Sequence, residues 1–111
     1  YQEKLANLPI TMQPQEPGAE PNLWLSTFLI HADQRRQPMD LIRALGEADI
    51  EARPLWKPMH MQPVFRDCPF VSCRESPVDE DLFARGVCLP SGTNLSDADM
   101  ERICAAVHHA F

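Results

Sequence analysis

The chain has no apolar run approaching the roughly 20 residues that a membrane span needs. Its opening shows no charged stretch followed by an apolar one, so no export signal is visible. Basic charge is scarce: 10 Lys and Arg stand against 16 Asp and Glu, leaving a net charge of −6. That balance excludes a nucleic-acid module, because neutralising phosphates takes a basic face. Arg35-Arg36 is the one basic pair. Metal-ligand spacing is also missing. Cys68 and Cys73 stand alone as a pair, Cys88 and Cys104 are isolated, and adjacent His108 and His109 are poorly placed for one ion. Cys88, in the apolar GVCLP stretch, and Cys104, on a helical stripe, read as small buried hydrophobes. Reduced thiols in a cytoplasmic protein are the expectation.

At 111 residues the chain is one domain at most, with room for a modest core. Tyr1, Leu5 and Leu8 recur at helical spacing and Pro9 stops the pattern, so residues 1–8 read as the last turns of a helix. Two turns alone are marginal in water. The chain is therefore expected to be cut from a longer protein, with residues 9–22 a Pro- and Glu-rich connector.

The aromatic and β-branched residues 24–30 predict a buried strand. A helix should begin at Gln37-Pro38, with Pro at the first helical position. Leu41, Ile42, Leu45 and Ala48 give it an apolar face, and Asp49 can take the left-handed turn that ends it. Residues 50–56 predict a second strand. Ser76-Pro77-Val78-Asp79 reads as a helix start with Ser76 as N-cap, and Gly86 as its end. Residues 86–90 read as a third strand. Ser96 and Asp99 should cap a last helix whose stripe is Met100, Ile103, Cys104, Val107 and Phe111, with Leu95 stapled to Met100. The sum is an α+β module, a three-stranded sheet covered by helices.

One segment fits no ordinary element. RPLWKPMHMQPVF, residues 53–65, holds three prolines, a Trp, a Lys, two Met, a His and a Phe. Pro54, Pro58 and Pro63 exclude a continuous helix and a central strand. A stiff, largely extended arm with short turns remains, and its large side chains cannot all face one core. Such an arm lies across another domain, a subunit or a pocket wall, or it simply covers the core.

That motif, followed by LFARGVCLPSGTNLSDADMERI (residues 82–103), resembles the C-terminal part of the DegT/DnrJ/EryC1/StrS family. NLWLSTFLI (residues 22–30) resembles the family's first small-domain strand. These are pyridoxal-phosphate-dependent aminotransferases acting on nucleotide-linked keto-sugars. The pairing of WKPMHMQPVF with CLPSG is most similar to enzymes that aminate UDP-4-keto-6-deoxy-N-acetylhexosamines, though a GDP-linked sugar is also compatible. RDCPFVSCRE replaces the commoner small-residue, Gly-Gly-rich text of that loop.

The resemblance implies that residues 23–111 are the C-terminal small domain of a fold-type I transferase. Pyridoxal phosphate would be bound mainly by a missing N-terminal large domain, which also holds the Schiff-base lysine. A homodimer partner, a nucleotide-sugar substrate and glutamate as amino donor are implied too. No residue of this chain is then catalytic or cofactor-binding. Substrate-binding candidates are His60, Lys57, Trp56 and Met59. His60 can hydrogen-bond the sugar or cofactor side, and Lys57 can meet a nucleotide phosphate as a point charge. Trp56 and Met59 would be apolar wall. Each has a plainer reading: a structural histidine, a lysine solvated beside a Trp face, a packed aromatic. The alternative function is a self-standing protein-binding module that docks a partner through residues 53–65.

Overall fold

Four strands and three helices follow in the order β1 (Ile10–Met12), β2 (Ser26–Ile30), α1 (Pro38–Glu47), β3 (Arg53–Pro54), α2 (Val78–Arg85), β4 (Gly86–Leu89) and α3 (Asp97–Ala110). The computed structural model describes residues 1–73 and 75–111; Arg74, in the RDCPFVSCRE loop, lies outside the described residues. The strands form one antiparallel sheet in the order β1-β2-β4-β3. The α+β class holds, and the sheet gains a fourth strand, β1, from within the expected connector. Residues 2–7 form turns rather than a regular helix, with one hydrogen bond of α-helical spacing, Leu5 N–H to Tyr1 C=O, and Leu5 is buried in the core.

Strand residues alternate between faces, and the register separates the two sides of this sheet. Met12, Phe28 and Val87 stand in one row across β1, β2 and β4. Phe28 and Val87 are fully buried, packed with Leu41 and Leu45 of α1 and with Ile103 and Val107 of α3. Each such side chain contributes roughly 1.5–3 kcal/mol on burial. Exposed ion pairs such as Arg53–Glu51 are screened by solvent and contribute far less. The core therefore holds the fold. The neighbouring row, Thr11, Leu29 and Gly86, faces the other way.

Both long helices form where local signals put them. Gln37 is the N-cap of α1, Pro38 its first residue, and Asp40 accepts from the Gln37 N–H at 3.1 Å. Asp49 takes φ +53°. Ile50 N–H then reaches Leu45 C=O and Asp49 N–H reaches Gly46 C=O, which closes the helix end in a Schellman arrangement. Ser96 and Asp99 form the expected reciprocal cap of α3. Cys88 and Cys104 are buried as expected, and burial raises both thiol pKa values.

Three elements depart from expectation. The β2 ladder begins at Ser26, so Trp24 lies outside it. β3 has two residues, because Pro54 lacks a donor and pairing ends one residue later, at the Leu55 N–H to Gly86 C=O bond of 3.2 Å. In α2 the N-cap is Pro77, not Ser76: Pro77 keeps an extended ψ of 133° and its carbonyl accepts from Asp81 N–H. Because Pro77 itself stays extended, the first helical residue is Val78 and the start lies one residue past the expected one.

Candidate functional site

The arm of residues 53–65 crosses the end of the sheet as a short edge strand followed by two 3-10 turns, Met59–Met61 and Pro63–Phe65. Each turn is closed by local bonds, with Met61 N–H to Pro58 C=O and Phe65 N–H to Gln62 C=O. The arm is thus more coiled than its prolines suggested. Pro58 is buried, while Trp56 and Met59 are 65% and 63% exposed.

Trp24, just before β2, joins the arm at the rim of the same sheet face. Leu23 adopts φ +49°, and the Asn22 side-chain oxygen accepts from the Trp24 N–H at 3.3 Å. This bend swings Trp24 out of the strand line, leaving it 68% exposed rather than buried. Its ring centroid comes 6.2 Å from that of Trp56, with the planes tilted by 34°. Aromatic pairs favour such offset, tilted contacts. The sequence offered no cue for this meeting, since a 32-residue gap separates the two indoles.

Below the pair lies a groove of about 550 Å³ on the second face of the sheet. Thr11, Thr27 and Leu29 form its floor, and Leu55 and Leu82 close the α2 side. The lining is mainly apolar, with Gln13 accepting from the Thr27 hydroxyl at 2.9 Å. Volumes of roughly 300–1,000 Å³ with few polar groups are typical of small-molecule sites.

His60 turns away from that groove toward α2. Its Nε2 lies 2.9 Å from Glu80 Oε1, and Asp79 Oδ2 stands 3.6 Å from Nδ1. The imidazole also stacks on Phe70, centroids 3.7 Å apart. Glu80 is a neighbour of His60 that sequence reasoning passed over, because DED reads as a solvated helix start. Lys57 is exposed, and among the described residues its ammonium has no ion-pair or hydrogen-bond partner. The structure thus brings Trp24, Trp56 and the groove together and sets His60 apart with Glu80.

These residues do not form a pyridoxal phosphate site by themselves. The chain's only lysines are Lys4 and Lys57. Lys4 is bound to Glu101 at 2.6 Å on the outer surface, and among the described residues Lys57 pairs with no carboxylate. The loop before α3 offers no phosphate cradle either, since Ser96 and Asp99 already satisfy that helix start.

EpsN of Bacillus subtilis (strain 168), assigned as a pyridoxal phosphate-dependent aminotransferase, is 39% identical over the whole chain. A GDP-perosamine synthase of Vibrio cholerae is 26% identical, again over the whole chain. The chain spans 29% and 30% of the lengths of these two relatives. The sugar aminotransferase Spr1654 of Streptococcus pneumoniae superposes with a TM-score of 0.80 over 98% of this chain and 28% of its own, at 18% identity. An aminotransferase of Brucella abortus gives 0.79 over 97% and 27%, at 21% identity. These two establish the fold. The sequence pattern of the DegT/DnrJ/EryC1/StrS aminotransferase family matches residues 1–108, and the chain belongs to that family.

Proposed function

We propose that this chain is the small domain of a pyridoxal-phosphate-dependent aminotransferase that carries an amino group from glutamate to the 4-keto carbon of a nucleotide-linked sugar. The family match over residues 1–108 carries the reading, and the 39% identity to EpsN supports it. In this proposal residues 1–8 lead in from a large domain that supplies the Schiff-base lysine and most of the cofactor site. Residues 9–22 connect the two, and residues 23–111 close part of the pocket and contribute to a homodimer. The cofactor, when bound, supplies the relay of nitrogen between donor and acceptor.

The chain's own part is substrate recognition. Trp56, Lys57 and Met59 form the substrate-facing part of the arm that His60 anchors. His60 holds the arm to α2 through Glu80, while Trp56, Lys57 and Met59 present open surface. Residues 1–111 alone are then inactive, because no lysine here meets a cofactor-binding arrangement.

The test is a pair of half-reactions in the full-length protein. Glutamate should bleach the long-wavelength absorbance of the bound cofactor, and a UDP-linked 4-keto-6-deoxy sugar should restore it. Lys57→Ala should leave the first half intact and raise the sugar-nucleotide concentration needed for the second. A cofactor that responds to glutamate but to no nucleotide-linked keto-sugar would overturn the assignment, and so would a protein that retains no cofactor.

A further inference from the structure

Two tryptophans are the whole tryptophan content of this chain, and they meet. Both stay about two-thirds exposed even in contact, at 68% and 65%. Leaving large indole faces in water forfeits the burial that usually accounts for an aromatic pair. Nothing in the core requires Trp24 there, since β2 begins two residues later. The Leu23 bend and the Asn22 bond instead hold it against Trp56 at the rim of the groove. Directly after Trp56 comes Lys57, a cation without an acidic partner among the described residues. Exposed indole faces followed by an unpaired positive charge match a ligand with an aromatic ring at one end and phosphate at the other.

We infer that Trp24 and Trp56 form a stacking platform for the base of a nucleoside diphosphate, with Lys57 meeting its phosphates. This deepens the proposed function, and rests on it, by assigning the nucleotide end of the substrate to this rim. Stacking is tolerant of base identity because every base has a π face. The platform therefore accepts both a pyrimidine and a purine diphosphate, and sugar or base selectivity has to come from other contacts. Gln13 and Asn22, side-chain amides lining the groove, can take a base edge. The groove's volume, about 550 Å³, accommodates a base and ribose.

The experiment is calorimetric titration of the full-length protein with UDP, GDP, uridine and inorganic pyrophosphate. Trp24→Leu and Trp56→Leu keep an apolar group but lose the ring, and should each weaken UDP and uridine on the order of tenfold, with pyrophosphate unchanged. Trp56→Phe keeps a π face and should recover most of the loss. Lys57→Met should weaken UDP and pyrophosphate but not uridine. Circular dichroism establishes that each variant is folded. If the Leu variants bind UDP like the parent, the platform does not exist. If Phe and Leu at position 56 weaken all four ligands alike, the pair is packing rather than a binding surface, and the inference also fails. UDP binding that follows these patterns in a protein that aminates no keto-sugar would keep the platform and remove the aminotransferase reading.

Discussion

A Cβ at Gly86 would fall 2.1 Å from Leu55 Cδ1 and 2.4 Å from the Leu82 carbonyl oxygen. The leucine tip can rotate away, but the carbonyl belongs to the last turn of α2, so backbone has to move. Gly86→Ala is therefore expected to cost about 1–3 kcal/mol, read as a lower urea midpoint at unchanged slope. Titrating residues set the pH limits. Burial, with Cys104 beside it, pushes Tyr1 up to about 12, and its hydroxyl donates to Pro90 C=O at 2.8 Å. A folded value above the ordinary 10.0 gives a contribution that is complete below pH 10 and fades as pH climbs toward 12. The Ser96 hydroxyl and N–H lower Asp99, and Arg85 lowers Asp81. Those contributions are present above the ordinary value of 3.8 and disappear as pH falls below it. Stability measured against pH should thus drop at both ends, with Asp99→Asn flattening the acid limb and Tyr1→Phe the alkaline one. An unchanged acid limb in Asp99→Asn would contradict the assignment of that carboxylate.

Among the elements, α2 is the one that cannot stand alone. Its eight residues bury no side chain fully, and Pro77 gives it no side-chain cap. Two tertiary ties hold it: Arg85, which also pairs with Asp81 within the helix, donates to Ile30 C=O at 2.9 Å, and His60 bonds Glu80. His60→Ala is expected to lower amide protection in α2 and in the Met59–Met61 turn and leave α1 and α3 unchanged, as read by native-state hydrogen exchange. Protection lost evenly across the chain, or lost nowhere, would show that this bond is not what joins arm to helix. The same contrast explains what the sequence disclosed. The ends of α1 and α3 were legible because Pro38, Asp49, Ser96 and Asp99 act on backbone within a few residues of themselves. β1 was not legible, since Ile10–Met12 becomes a strand only by pairing with Phe28–Ile30, and nothing local marks it. The start of α2 was misplaced by one residue because Pro77 keeps an extended ψ and acts as the cap itself, where α1 takes its proline as the first helical residue. Of the candidate site, the arm announced itself through its prolines and Trp56, whereas Trp24 looked like a strand residue until Leu23 turned the chain. Glu80 reaches His60 from 20 positions away, a relation that spacing does not encode.

For the whole molecule, the two faces of the sheet have different fates. One carries Phe28 and Val87 into the core under α1 and α3. The other, floored by Thr11, Thr27 and Leu29, is only partly covered by α2 and stays open beneath the tryptophans. A lobe with one finished face and one open apolar face fits a chain that spans 29% of EpsN's length. In the proposed function the chemistry lies between this lobe and a larger one, with this lobe gripping the nucleotide end of the substrate. The most direct test is nitrogen transfer by the full-length protein, using ¹⁵N-labelled glutamate and a UDP-linked 4-keto-6-deoxy sugar, with mass spectrometry of the sugar nucleotide. A labelled amino-sugar nucleotide is expected, formed far more slowly when Trp56 is replaced by leucine. Unlabelled product, or label incorporated at the same rate in both proteins, would contradict the proposed function.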